Sequence, residues 1–401
     1  MDASDTFRDR SDTAQLESSG RSDSGRNGSR TSRAGRPAGR VDVGLENHAV
    51  TQQDNAVTQR RDDDGGAGAN DSQTNGRLSG LLNELYGPII GSLAKVEATL
   101  QSELQSPFEG VSALLRHGVQ LGGKRLRPAI HLLMADALGG IGPNNIIIGA
   151  VLEMVHTATL VHDDVLDEAS TRRHVPTINA QWNDHTSILL GDYLFAQSFR
   201  LAATLDSTRT CQWVGEAARL VCEGELRQVL ARDDVEIDRD TYFDIIRGKT
   251  AELCRVACSL AAGEASRDAD AIDQLADYGN CLGIAFQIAD DFLDLWGDDQ
   301  TVGKTVGTDL QQGKMTLPII RLLETADPAA RLEILGILKG PADDRMTRLG
   351  EWLEQSDAKE FTFRTASSFK DRALAALIDL PPSDAKNCLI NIAEFSIQRS
   401  F

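Results

Sequence analysis

The stretch HTATLVHDDVLDEASTRRH, His156 to His174, is the one on which the reading of the whole chain turns. If it is helical, Asp163 and Asp167 lie four residues apart and leave the same face, with Asp164 about 100° round. Carboxylates on one helical face suit hard divalent cations, and Mg2+ in particular binds through a few carboxylates plus substrate phosphates. Five residues after Asp167 come Arg172 and Arg173, a guanidinium pair suited to bidentate phosphate binding. A single DDxxD fits a solvated helix face at least as well.

A second copy changes that balance. FQIADDFLD, Phe286 to Asp294, repeats the spacing with Asp290, Asp291 and Asp294, and is followed by Gly303-Lys304-Thr305, Asp309 and Gly313-Lys314. Two acidic clusters on separate helices repel unless solvent or cations separate them. Cations between them can hold a diphosphate and neutralise the charge it gains as it leaves. Leu160, Val161, Phe286, Ile288 and Phe292 surround the acids and point to a cleft. A third element, Gly122-Gly123-Lys124-Arg125-Leu126-Arg127-Pro128, predicts a separate anion site: glycines allow close backbone approach, and Pro128 can open a helix whose N-terminal amides favour anions.

Outward from these motifs the chain reads as helix. Apolar residues recur at three- and four-residue spacing over 80–104, 109–118, 128–139, 144–170, 178–204, 210–232, 239–264, 269–296, 316–325, 330–338, 345–356 and 359–379, and no segment alternates as a strand would. The expected fold is all-α, one large helical bundle over residues 79–401. Residues 1–78, rich in Ser, Gly, Arg and Asp, hold too little apolar surface to offset ordering entropy and are expected to be a disordered tail.

Composition bounds the function. The net charge of −19 excludes a nucleic-acid binder, which needs a basic face. Only −2 of that charge falls in the tail, leaving −17 on the remaining 323 residues. The six cysteines form no CxxC pair and follow no secretory signal, which predicts a cytoplasmic protein without disulfides. Charge interrupts the apolar runs often enough that no transmembrane segment is expected. Nine Lys stand against 32 Arg, an acidic, lysine-poor composition that predicts a halophilic archaeal source. Lys124, Lys249, Lys304 and Lys314 nevertheless sit in Gly-rich or motif segments, which marks them as working ammonium groups.

Taken in order, GGKRLRP, HDDVLD with its Arg pair, GKT at 248–250, FQIADDFLD and GKTVGTDLQQGKMTLP resemble the trans-isoprenyl diphosphate synthases, or polyprenyl synthetases, over about residues 80–380. The resemblance implies an all-α isoprenoid synthase bundle around a deep central cavity, usually a homodimer. It implies a Mg2+-dependent condensation of isopentenyl diphosphate with an allylic diphosphate. Asp163, Asp167 and Asp290, with Asp164, Asp291 and Asp294 nearby, would bind the metal. Arg172, Lys249, Thr250, Gln287, Lys304 and Lys314 would serve the allylic diphosphate; Lys124, Arg127, His156 and Arg173 would hold isopentenyl diphosphate. Ionisation to an allylic cation, attack by the isopentenyl double bond and proton loss complete the implied reaction. His174 stands where the family commonly has glycine. Ala158 and Thr159, small where short-chain enzymes often carry a ring, imply a product of C20 or longer, geranylgeranyl diphosphate first, unless Val155 or a facing helix closes the cavity. The alternatives are a terpene cyclase or head-to-head synthase on the same fold, against which the intact second motif and the GGKRLRP segment weigh; a His-Asp phosphohydrolase, for which no further histidines stand at suitable places; and a silent synthase subunit, against which the intact aspartates and lysines speak.

Overall fold

Gly142 and Pro143 open the helix that carries the first aspartate motif. Asn145 Oδ1 accepts the Gly142 N–H at 2.8 Å and Pro143 occupies the first turn, where no amide is needed. The computed structural model describes residues 85–173, 175–297 and 306–398. The tail 1–78, Lys304 and His174 therefore lie outside the described residues.

In chain order the helices are α1 (Ile90–Glu103), α2 (Glu109–Leu121), α3 (Leu126–Ala137), α4 (Pro143–Leu166), α5 (Ile178–Gln181), α6 (Asp184–Ala202), α7 (Arg209–Leu230), α8 (Arg239–Ile246), α9 (Glu252–Glu264), α10 (Ala269–Trp296), α11 (Thr308–Gln311), α12 (Leu317–Thr325), α13 (Pro328–Leu338), α14 (Ala342–Gln355), α15 (Ala358–Ala376) and α16 (Asp384–Gln398). α10 is the spine. Its 28 residues span about 42 Å. Its first half, through Leu275, Tyr278 and Leu282, joins a core shared with α3, α4, α6 and α9. Its second half, through Ile284, Ile288 and Leu295, joins a separate core with α12, α13 and α14. α15 and α9 pack along its length.

The structure departs from the sequence expectation in five places. The helix expected over 144–170 stops at Leu166, because the chain turns into a two-stranded antiparallel ribbon, β1 (Thr171–Arg172) with β2 (Val175–Pro176). No strand was expected; this one is stapled under α4 where Asn179 Nδ2 donates to the carbonyls of Asp164 and Ala169. The 178–204 helix breaks at Trp182–Asn183, where Asn183 caps α6 by accepting the Thr186 amide at 2.9 Å. The 239–264 helix is interrupted by a π-helical turn, Arg247–Ala251. The chain also ends in a helix, α16, beyond the expected limit of 379. Finally, one helix among the described residues, α4, is long and apolar enough to cross a membrane by length and composition, with mean hydropathy 1.3, and 67% of that window is buried inside the fold. Its apolarity is accounted for by core packing.

Candidate active site

The first aspartate motif occupies the last turn of α4, and three cations from elsewhere converge on it. Lys249 Nζ stands 3.8 Å from Asp163 Oδ2. Asp167 Oδ1 accepts from Arg232 at 3.1 Å and lies 3.4 Å from Lys314 Nζ. Asp163 and Asp167 both stay partly exposed. Asp164 is different. It is buried, and Arg172 grips its Oδ1 through Nε at 2.9 Å and Nη2 at 2.8 Å. Burial raises the Asp164 pKa against the pull of Arg172. Arg172, expected at the allylic diphosphate, is paired here through Nε and Nη2 with Asp164 on the inner side of the motif, and its side chain stays partly exposed.

Lys249 is delivered by the π turn, a local widening of the helix that recurs at functional sites. Glycines let two helices close on that turn. A Cβ on Gly224 of α7 would sit 2.5 Å from the Lys249 amide nitrogen, and one on Gly283 of α10 would sit 2.5 Å from Ala251 Cα. The ammonium itself lies 2.5 Å from Glu225 Oε1. Burial works to lower the Lys249 pKa, but Asp163, Glu225 and Asp167 outweigh it and raise the pKa. Burial and the Asp163 charge push the Glu225 carboxyl up, with Lys249 opposing.

The second motif points inward. Asp291 is buried and accepts from Tyr242 Oη at 2.6 Å and Gln287 Nε2 at 2.9 Å, while Thr250 Oγ1 donates to Gln287 Oε1 at 2.7 Å. Thr250 and Gln287, expected at the allylic substrate, therefore form a relay that ends on Asp291. Burial and the nearby Asp309 carboxylate push Asp291 up to about 8 despite those two donors. Asp294 uses both carboxylate oxygens on backbone, accepting the amides of Thr308 and Asp309 at 3.1 Å each. It ties the chain down where it returns at α11. Burial and Asp309 push it up to about 7. Asp290 is partly exposed.

The third cluster is cationic and nearly free of acids. Arg127 Nη1 lies 3.0 Å from His156 Nε2, and Arg127 Nε is buried without a hydrogen-bond partner. Arg173 lies over Gly123 and donates to the Leu121 carbonyl at 3.0 Å. Burial, then Arg127, Arg173, Arg172 and Arg125, hold the His156 pKa well below its usual value, so the ring stays neutral and can accept from Arg127. Arg125, in left-handed conformation at φ 52°, turns away from this cluster. It pairs with Glu97 and with buried Glu153 at 2.7 Å, anchoring the loop. Lys124 is exposed, its Nζ 5.9 Å from the centre of the Phe395 ring.

Of the three chain-length positions, Val155 and Ala158 are fully buried in the apolar core, whereas Thr159 is partly exposed and donates to the His156 carbonyl at 2.7 Å. Sequence reading missed Glu225, Arg232 and Tyr242 as members of the site. None lies in a glycine-lysine or aspartate motif, and only Gly224, beside Glu225, hinted at a close approach there.

The donor set fits a hard divalent cation. Asp163, Asp167 and Asp290 offer carboxylate oxygen alone, and among the described residues no three acidic, His or Cys side chains close on one point.

Residues 109–353 match the family model for polyprenyl synthetase. The chain is 34% identical to the octaprenyl diphosphate synthase of Escherichia coli over 319 residues, covering 79% of this chain and 98% of that one. Among solved structures, a decaprenyl diphosphate synthase from Rhodobacter capsulatus superimposes with TM-score 0.75 at 33% identity, covering 80% of this chain and 99% of that one. A polyprenyl synthase from Caulobacter crescentus, complexed with calcium and isoprenyl diphosphate, gives 0.74 at 32% identity, with 80% and 98% covered. The fold is thus the all-α isoprenoid synthase bundle, and the reaction class is prenyl transfer. The chain belongs to the polyprenyl synthetase family.

Proposed function

We propose that this chain condenses isopentenyl diphosphate head-to-tail with allylic diphosphates, dependent on Mg2+, to give an all-E polyprenyl diphosphate of C20 or longer. The observation that carries this is the presence of two unlike cationic clusters. In one, Lys249, Lys314 and Arg232 are interleaved with the partly exposed carboxylates Asp163 and Asp167. In the other, Arg127 and Arg173 stand around a neutral His156. The first arrangement suits a diphosphate that arrives with metal; the second suits a diphosphate bound directly. A condensing enzyme needs both.

Asp163, Asp167 and Asp290 would hold Mg2+, which when bound neutralises charge on the departing diphosphate. Lys249 and Lys314 add fixed positive charge at the same place, and Arg127, Arg173 and Lys124 hold the isopentenyl diphosphate for attack on the allylic carbon. Lys304 belongs to the same proposal for the allylic side. Catalysis then rests on preorganised charge and alignment, with no side-chain nucleophile. Thr159, the one small chain-length position with exposure, would face the growing product. Similarity to octaprenyl and decaprenyl synthases favours a chain longer than geranylgeranyl. The enzyme would work as a homodimer in a high-salt cytoplasm, exposed Leu189 on α6 and Leu230 on the adjacent α7 supplying apolar contact surface.

The test is to incubate the full chain with labelled isopentenyl diphosphate and allylic primers, with Mg2+ or with chelator, at high and low KCl. Mass in solution is measured alongside. Products of C20 or more that vanish with chelator are expected; C15 alone, or an inactive lone chain, overturns the reading.

A further inference from the structure

We infer that Glu225 is a positioning residue, one that holds the Lys249 ammonium at a stand-off from Asp163 and so keeps that carboxylate open to a metal-bound diphosphate. The inference rests on the proposal that Asp163 is a metal ligand.

The geometry is asymmetric. Lys249 Nζ lies 2.5 Å from Glu225 Oε1 but 3.8 Å from Asp163 Oδ2. The backbone beneath Lys249 has little room to choose, because Gly224 and Gly283 bring α7 and α10 against both ends of the π turn. What remains free is the swing of a long side chain between two acids, and the nearer acid holds it. Gly224 immediately precedes Glu225, so the contact that clamps the turn also sets the reach of the carboxylate. Both partners are mostly buried, which leaves their attraction poorly screened.

Remove the Glu225 charge and the buried ammonium must pair elsewhere. Asp163 is the neighbour already in place, so Lys249 would close onto it and compete with the incoming cation. Had Glu225 only a packing role, its loss would lower stability and leave metal affinity alone. Were Glu225 itself a metal ligand, its loss would weaken metal binding whether or not Lys249 is present. The inference predicts neither.

The experiment titrates Mn2+, read by the magnetic resonance of the free ion, into full-length protein with inorganic pyrophosphate, while thermal melts check folding. Glu225→Gln should raise the Mn2+ half-saturation by about ten- to a hundredfold, the scale of losing a partner that orients a ligand. Glu225→Asp should recover part of it. In a Lys249→Gln background, adding Glu225→Gln should change nothing further; this neutral pair leaves no orphaned charge and guards against a single variant that fails to fold. An unchanged half-saturation in Glu225→Gln, or an equal loss in both backgrounds, overturns the role given to Glu225. Asp163→Asn is the separate control: if it binds Mn2+ as the natural chain does, the metal reading of Asp163 fails, and the inference with it.

Discussion

The two DDxxD motifs are alike in spacing and unlike in use. In DDVLD the outer carboxylates, Asp163 and Asp167, look toward Lys249, Lys314 and Arg232, and only Asp164 is turned in, onto Arg172. In DDFLD two of three carboxylates are turned in: Asp291 onto Tyr242 and Gln287, and Asp294 onto the amides that begin α11. Both motifs lie in the closing turns of their helices, α4 ending at Leu166 and α10 at Trp296, so the difference follows from what packs against each. Asp291 is buried beneath Tyr242 of α8 and Asp294 faces the amides that begin α11, whereas Asp163 and Asp167 meet the side chains of Lys249, Arg232 and Lys314. Equal spacing dictates which carboxylates share a face; the neighbours decide whether that face meets ligand or core.

This contrast can be broken experimentally, because the outward side chains around Asp163 and Asp167 should fail as chemistry, and the inward Asp291 and Asp294 as structure. The largest effect is expected at Lys249, where Gln in its place should lower kcat by about 10²- to 10³-fold, the scale of losing one preorganised charge partner. Single-turnover product formation measures the rate, and the Lys249→Gln/Glu225→Gln pair, which leaves no orphaned buried charge, separates the loss of rate from any loss of stability. Next, Tyr242→Phe removes a donor from the buried Asp291 carboxylate and should cost about 1–3 kcal/mol of stability in denaturant titration. If Tyr242→Phe instead spares stability and abolishes turnover, Asp291 belongs with the catalytic acids and the contrast collapses. Asp294→Ala loses two backbone contacts of the kind made by a helix cap and should cost about 1 kcal/mol. Smallest is Lys370→Arg on α15, where the lysine pairs with Asp371 at 2.6 Å, far from either motif in sequence. That exchange should stay within about 0.5 kcal/mol of the natural chain and keep full turnover, unlike Lys249→Arg, whose planar fork cannot replace a point charge between two acids.

The helical class was legible because apolar periodicity is a local property, and each acidic motif was legible because four-residue spacing on a helix guarantees a shared face. The π turn at Arg247–Ala251 was not, since a continuous helical pattern runs through it and its close packing against Gly224 and Gly283 comes from helices elsewhere in the chain. The break before α6 had a readable signal in Asn183, a good cap, which the surrounding apolar spacing masked.

By itself, then, the sequence determined the all-α class, pointed to two aspartate motifs and a GGKRLRP loop as parts of a proposed site, and singled out Lys249 and Lys314 as candidate cations. Those are matters of residue type and spacing along one element. Tertiary structure alone decided that Arg172 serves Asp164, that Arg125 anchors while Arg127 meets His156, and that Glu225 stands nearest to Lys249. Arg172 reaches Asp164 because the chain folds back into the β1–β2 ribbon, and the other pairs join segments 24 to 29 residues apart. Charge and distance settle such choices only once the elements are packed, because the attraction between two charges is weak and screened until they come within a few ångströms.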